Sequence, residues 1–331
     1  MNDILVTEYR GILDENDIRG RYCIVSEDGS VLHSLGDISR HHYYRSSAKP
    51  IQALPILYYG IKDKFGFTDR EYSVFCASHL GESFHIEAIT SALNKIGLTD
   101  EDMILPPTYP GHRESAYKLI SEGKPMRKIY YNCSGKHTAL LAFCLHLGCD
   151  YKDYWKPESP IQKDIKKFIS VMSEYPAEDV IVGADGCGVP VFAVPLYNVA
   201  MSYLNLACPD RLKNEKLAEC VRYGTACMNA NPEMVSGTKQ LCSILLEDEN
   251  IVAKGGACAL YCIGLRRERL GIAIKLESGA AEYMPYIVIS MLEQLGYSNK
   301  ATIEKLKKTY PEDYVNPVGV TAYTRKCRFT L

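Results

Sequence analysis

The chain has 331 residues, with 38 Lys and Arg against 40 Asp and Glu, for a formal net charge of −2. Hydrophobic residues make up 47% and charged residues 24%, enough apolar material for a sizeable core, which excludes a disordered, collagen-like or coiled-coil chain. With no basic field to draw it onto nucleic acid or a membrane surface, a small-molecule partner is the expectation.

The opening MNDILVTEYRG has neither a basic n-region nor an apolar h-region, so a cytoplasmic location is expected. On that reading the thirteen cysteines are reduced thiols and core fillers rather than a disulfide framework. Ile4–Tyr9 and Tyr22–Val25 have strand composition, and the Glu27–Ser30 turn leads into a further strand at Val31–Leu35. From Ser47 the period becomes helical through Ile51, Leu54, Leu57 and Tyr58. Phe84–Ile96 repeats that period up to Gly97, and a third helix is predicted from Ser134 to Gly148. Strand character returns at Asp179–Gly183. Gly186–Pro209 carries little charge but is broken by Pro190 and Pro195, and reads as buried strands and turns rather than a membrane span. Ile251–Ala253, Ala257–Gly264 and Leu270–Leu276 form a predicted meander, and a last helix follows at about Met284–Leu295.

Strands at both ends with helices between them predict an α+β fold with a discontinuous sheet domain. Residues 1–45 together with 179–331 form that α/β part, and 46–178 a largely helical lobe, with one catalytic site in the cleft between.

Ser46-Ser47-Ala48-Lys49-Pro50 contains S-x-x-K. On a helix Lys49 shares a face with Ser46, and a desolvated lysine there is placed to take the serine proton. The same spacing recurs at Ser115/Lys118, Ser121/Lys124 and Ser236/Lys239, where a capping serine and an exposed lysine explain it equally well. Ser46 differs in following strand sequence and opening an apolar helix, the context S-x-x-K has in penicillin-binding proteins and β-lactamases. Those enzymes carry a Lys-x-Gly on a late strand, and Lys254-Gly255-Gly256 is available for that role. Ser78, in Cys76–Glu82, is either a second catalytic hydroxyl or a helix cap. Cys133 precedes a helix N-terminus, and with Lys136, His137, Asp185 and Cys187 it offers zinc-type donors at spacings that match no standard zinc motif. Gly186 and Gly188 let backbone N–H groups approach a ligand closely.

Four segments, RSSAKPIQALP (Arg45–Pro55), ASHLGE (Ala77–Glu82), NCSGKH (Asn132–His137) and GADGCGVP (Gly183–Pro190), stand in the order found in the asparaginase II family, the Rhizobium etli type of L-asparaginase. The resemblance continues more weakly at NPEMVSGT (Asn231–Thr238), KGGA (Lys254–Ala257) and GIAIK (Gly271–Lys275). It implies a mixed-sheet fold similar to serine β-lactamases and glutaminases, a homodimer, and two Ser–Lys pairs, Ser46 with Lys49 and Ser78 with Lys254. It also implies zinc bound through Cys133, Lys136 and Cys187, and L-asparagine hydrolysis in the cytoplasm. Arg45, Asp185, His137 and Gly186 are then expected around the substrate, with Arg45 forking its α-carboxylate.

The chain departs from the pattern at Gln240 and Cys242, where an Arg and an Asp are expected, and at Cys258-Ala259, where Glu-Gly is. Those departures bear on substrate choice. They leave open another S-x-x-K hydrolase acting on glutamine, a peptide or a β-lactam, and a non-catalytic amino-acid or zinc-binding protein. Which serine attacks is also left open.

Overall fold

The main sheet is assembled from both ends of the chain in the computed structural model, which describes residues 3–331. Its strands are β1 (Ile4–Arg10), β2 (Leu13–Val25), β3 (Val31–Leu35), β7 (Ile251–Gly256), β8 (Leu260–Leu265), β9 (Leu270–Leu276), β10 (Asp313–Val315) and β11 (Thr321–Cys327). Their order is β10-β11-β1-β2-β9-β8-β7, with β3 also on β2. The thirteen-residue β2 pairs with β1 in its first half and with β9 and β3 in its second, so one strand joins the two halves of a curled sheet. A smaller sheet has β4 (His41–Tyr43), β6 (Pro190–Pro195) and β5 (Ile181–Ala184) in that order.

The fold is α+β, as expected, but its sheets are not mixed: every strand pairing among the described residues is antiparallel. Hairpins such as β1–β2, β8–β9 and β10–β11 supply the strands, so no parallel crossover is needed.

The Leu196–Ala207 helix packs across β2, β8 and β9. Within Gly186–Pro209, the expectation of buried strands and turns holds for β6 only. Every residue of this helix except Tyr197 is buried, so it has no polar face to reveal its period. Glycines let it lie close to the sheet. A Cβ added at Gly264 would stand 2.3 Å from Tyr203 O, and one at Gly271 2.2 Å from Ala200 O.

The helical lobe contains Ser83–Ile96 and Ser134–Leu147, closed by left-handed Gly97 and Gly148 as their sequences predict, together with Pro160–Ser173. Glu215–Ala230 and Pro232–Val235 also pack into this lobe, against Leu54–Tyr58 and Asp69–Phe75, although they lie beyond residue 178. One core runs from these helices onto the inner face of the sheet. Met284–Gln294 and Lys300–Thr309 cover the outer face, so the helix predicted to be last is followed by another helix and by the β10–β11 hairpin. No helix among the described residues is long and apolar enough to cross a membrane.

Candidate active site

Arg45–Ala48 forms a tight 3₁₀ turn that runs directly into the Lys49–Gln52 helix, with Pro50 in its first turn, where proline is tolerated. Arg45 takes a left-handed conformation, φ 51°, which is costly for a residue with a β-carbon and is seen where surrounding structure enforces it. Ser46 is half-buried inside this turn, at the start of the helix as expected, and does not cap it. The end of β7 closes over this turn. A Cβ at Gly256 would stand 2.5 Å from Tyr44 O and 3.4 Å from Arg45 Cβ, so only glycine brings strand and turn together.

The Ser46–Lys49 pairing is not made in this structure. Lys49, fully buried, donates to Ala77 O, to Ser78 Oγ at 3.1 Å and to Asn132 O at 3.5 Å. A buried ammonium must find acceptors, and these carbonyls lie at its tip. Lys254, also buried, donates to Ser78 Oγ at 2.9 Å and to Gly255 O at 2.8 Å. Ser78 therefore lies between two lysines, while no partner among the described residues engages the Ser46 hydroxyl. Ser78 caps no helix, since Glu82 caps the one that follows. Its own N–H is spent on Val235 O at 3.0 Å. Burial lowers the pKa of both lysines and brings Lys254 down to about 8.

A second cluster adjoins the first. Arg45 Nε donates to Asp185 Oδ1 at 2.7 Å, and Gly186 N–H to the same oxygen at 2.9 Å. Lys136 Nζ is 3.0 Å from Cys187 Sγ and 3.6 Å from Asp185 Oδ2. Burial opposes ionisation of Asp185, but Lys136, Arg45 and the Gly186 N–H outweigh it and hold the carboxyl below its usual range. A hydrogen bond from Cys187 holds the Cys133 thiol well below its ordinary pKa, against burial and with help from Lys49 and Lys136. His137 is fully buried with Nδ1 2.6 Å from Tyr154 OH. Tyr154 OH also accepts from Ile104 N–H, and His137 Nε2 is buried with no partner among the described residues.

Two thiols and an amine in contact suit a thiophilic cation, with Cys133 already inclined to the thiolate. Lys136 would have to lose its proton to join them, because Cys133, Cys187 and Asp185 together outweigh burial and keep it charged here. Counting His, Cys, Asp and Glu alone, no group of three among the described residues is placed to hold a metal.

At the departures from the family pattern, Cys242 is buried and its sulfur accepts from Gly255 N–H at 3.2 Å and Tyr261 OH at 3.3 Å. Cys258 is exposed, with Sγ 3.5 Å from Arg45 Nη1. His79 takes a structural role. Its Nδ1 accepts from Gly81 N–H, leaving Nε2 to donate to Ser134 Oγ at 2.8 Å. The Ala77 and Asn132 carbonyls and Tyr154 were not singled out in the sequence, where nothing marks a backbone acceptor or a lone tyrosine.

No individual curated protein matches the chain. Among solved structures, Mglu in its glutamate form is 15% identical with a TM-score of 0.45, over 89% of this chain and 65% of that longer one. A beta-lactamase from Mycobacterium bovis is 12% identical with a TM-score of 0.39, over 83% of this chain and 94% of that one. The L-asparaginase II family matches residues 6–323, nearly the whole length, and the chain belongs to that family of amide hydrolases.

Proposed function

We propose that this chain hydrolyses L-asparagine to L-aspartate and ammonia through a serine acyl-enzyme. The observation that carries the reading is Ser78 Oγ, held at 3.1 and 2.9 Å by two buried lysines, one of which, Lys254, stands on the strand whose Gly256 packs against the turn that bears Ser46.

A nucleophile needs a free lone pair, and the Ser46 hydroxyl is engaged by no partner among the described residues. Ser78 accepts from two ammonium groups, which suits a relay. In this scheme Ser46 Oγ attacks the side-chain carboxamide carbon, and its proton passes through Ser78 to a lysine in its neutral form. The tetrahedral intermediate collapses with cleavage of the C–N bond, and the lysine returns the proton through Ser78 to the leaving ammonia. Water then cleaves the ester by the same route in reverse. In this reading Arg45 takes the α-carboxylate and Asp185 the α-amino group, with Gly186 and His137 beside them. A zinc ion held by Cys133, Cys187 and Lys136 would supply a fixed positive charge and Lewis acidity at the amino-acid end when bound.

Ammonia release from asparagine, glutamine and a chromogenic β-lactam compared side by side tests the substrate. Release from asparagine well above the other two is the expected result, and equal or greater turnover of glutamine would overturn the assignment. Acid quenching during turnover followed by peptide mapping tests the roles: an aspartyl ester on the Ser46 peptide is expected, and one on Ser78 would reverse them.

A further inference from the structure

A row of residues on the inner face of the sheet leads away from the catalytic turn. Gly256 pairs with Leu260, Leu260 with Lys275, and Lys275 with Arg21. At the strand spacing of about 4.8 Å, Lys275 lies about 10 Å from the strand that touches Ser46's turn. Cys258 links the two places: Lys275 Nζ donates to its carbonyl at 2.7 Å, and Arg45 Nη1 to its sulfur at 3.5 Å.

Like charges directly opposite one another on neighbouring strands repel. Arg21 and Lys275 are so placed, and no acid among the described residues pairs with Lys275. Arg21 Nη2 holds Glu277, yet its Nε is buried without an acceptor. His42, on β4, is only 8% exposed, and its Nε2 is likewise buried and unpartnered. Burial lowers its pKa to about 4, and Arg21, Lys275 and Arg40 push the same way with Asp37 opposing, so it is a neutral ring among cations. A buried donor without an acceptor is uncommon, and Arg21 Nε is one, beside a Lys275 ammonium that donates only to the carbonyls of Cys258 and Leu276 and has no acid partner among the described residues.

We propose that Arg21, Lys275 and His42 form a carboxylate-binding subsite beside the catalytic cluster. Arg21 and Lys275 offer two cations and the neutral His42 ring one N–H, a set that suits a carboxylate. Two sources share that chemistry: the far carboxylate of an asparagine extended by one residue, and a free dicarboxylate acting as an effector. The first rests on the amidase reading above, and the second does not.

Succinate titrated into the full-length protein, followed by the His42 imidazole resonance, tests binding without turnover. A saturable shift in the wild type, lost in Arg21→Gln and in Lys275→Met, is expected. Should Lys275→Met fail to fold, exposed Arg40→Gln takes its place, with a weakened shift expected. Kinetics then separate the sources. An extended-substrate subsite predicts that asparaginyl-glycine loses about ten- to a hundredfold in kcat/KM in these variants while asparagine changes less than about twofold. An effector subsite predicts that succinate alters asparagine kinetics in the wild type and not in the variants. No His42 response to succinate, together with equal losses on both substrates, overturns the proposal. A response with no asparagine turnover keeps the subsite and sinks the asparaginase reading instead.

Discussion

Lys254 allows the proton-relay scheme to be tested by its pH dependence. Its side chain is 1% exposed and its ammonium is 2.9 Å from Ser78 Oγ. Burial is the main cause of its lowered pKa. Lys49 lowers it further, Cys242, Cys133 and Cys76 oppose, and the result is about 8 rather than 10.5. At pH 7 a lysine of ordinary pKa is neutral in about one molecule in three thousand, and one near 8 in about one in ten. A proton acceptor works only in its neutral form. Activity should therefore be present at high pH and be lost as pH falls through the folded-state value, rising about tenfold from pH 7 to a plateau above about pH 9.

Ammonia release measured from about pH 6 to 10 reads this limb. The substrate's own α-amino group titrates in the same range, so the profile is repeated with the des-amino amide, on which the limb must persist. Lys49 shares the same hydroxyl, so the apparent pKa belongs to the pair. Lys254→Arg should fail as completely as Lys254→Met, because a guanidinium cannot give up its proton. A flat profile on both substrates, or a midpoint above about pH 10, would refute a neutral lysine at Ser78.

Ser46→Ala should lose about three decades or more of kcat with its thermal midpoint nearly unchanged, since the hydroxyl engages no partner among the described residues; retention of more than about a tenth of kcat would remove Ser46 as nucleophile. Cys133→Ser and Cys187→Ser should each abolish a near-stoichiometric zinc content measured by elemental analysis and raise KM for asparagine more than they lower kcat. Full zinc in either variant counts against this cluster. Gly271→Ala should cost about 1–3 kcal/mol in urea unfolding, as its Cβ would meet Ala200 O at 2.2 Å. An unchanged unfolding midpoint would mean that the buried helix does not need the close approach.

What the sequence made legible was local. Ser83–Ile96 and Ser134–Leu147 advertise themselves by a stop glycine in each case, and β7, β8 and β9 by branched runs between turns. Leu196–Ala207 stayed hidden because a helix buried on all sides has no contrast between its faces. The site follows the same division. Spacing alone says that Ser46 and Lys49 share a helical face. It says nothing of the Ala77 and Asn132 carbonyls that draw the ammonium toward Ser78 instead. The proposed relay depends on a pairing across 176 residues, and that pairing depends on strand register. Lys254 and Gly256 point to the same side of β7, one reaching Ser78 and the other admitting the serine turn. A slip of one residue would present Ala253 and Gly255 to the cleft and turn the lysine to the other face, so the same motif in another register would have no base. A Lys-x-Gly becomes evidence for this chemistry only where β7 is paired with β8 as Lys254 is with Cys262.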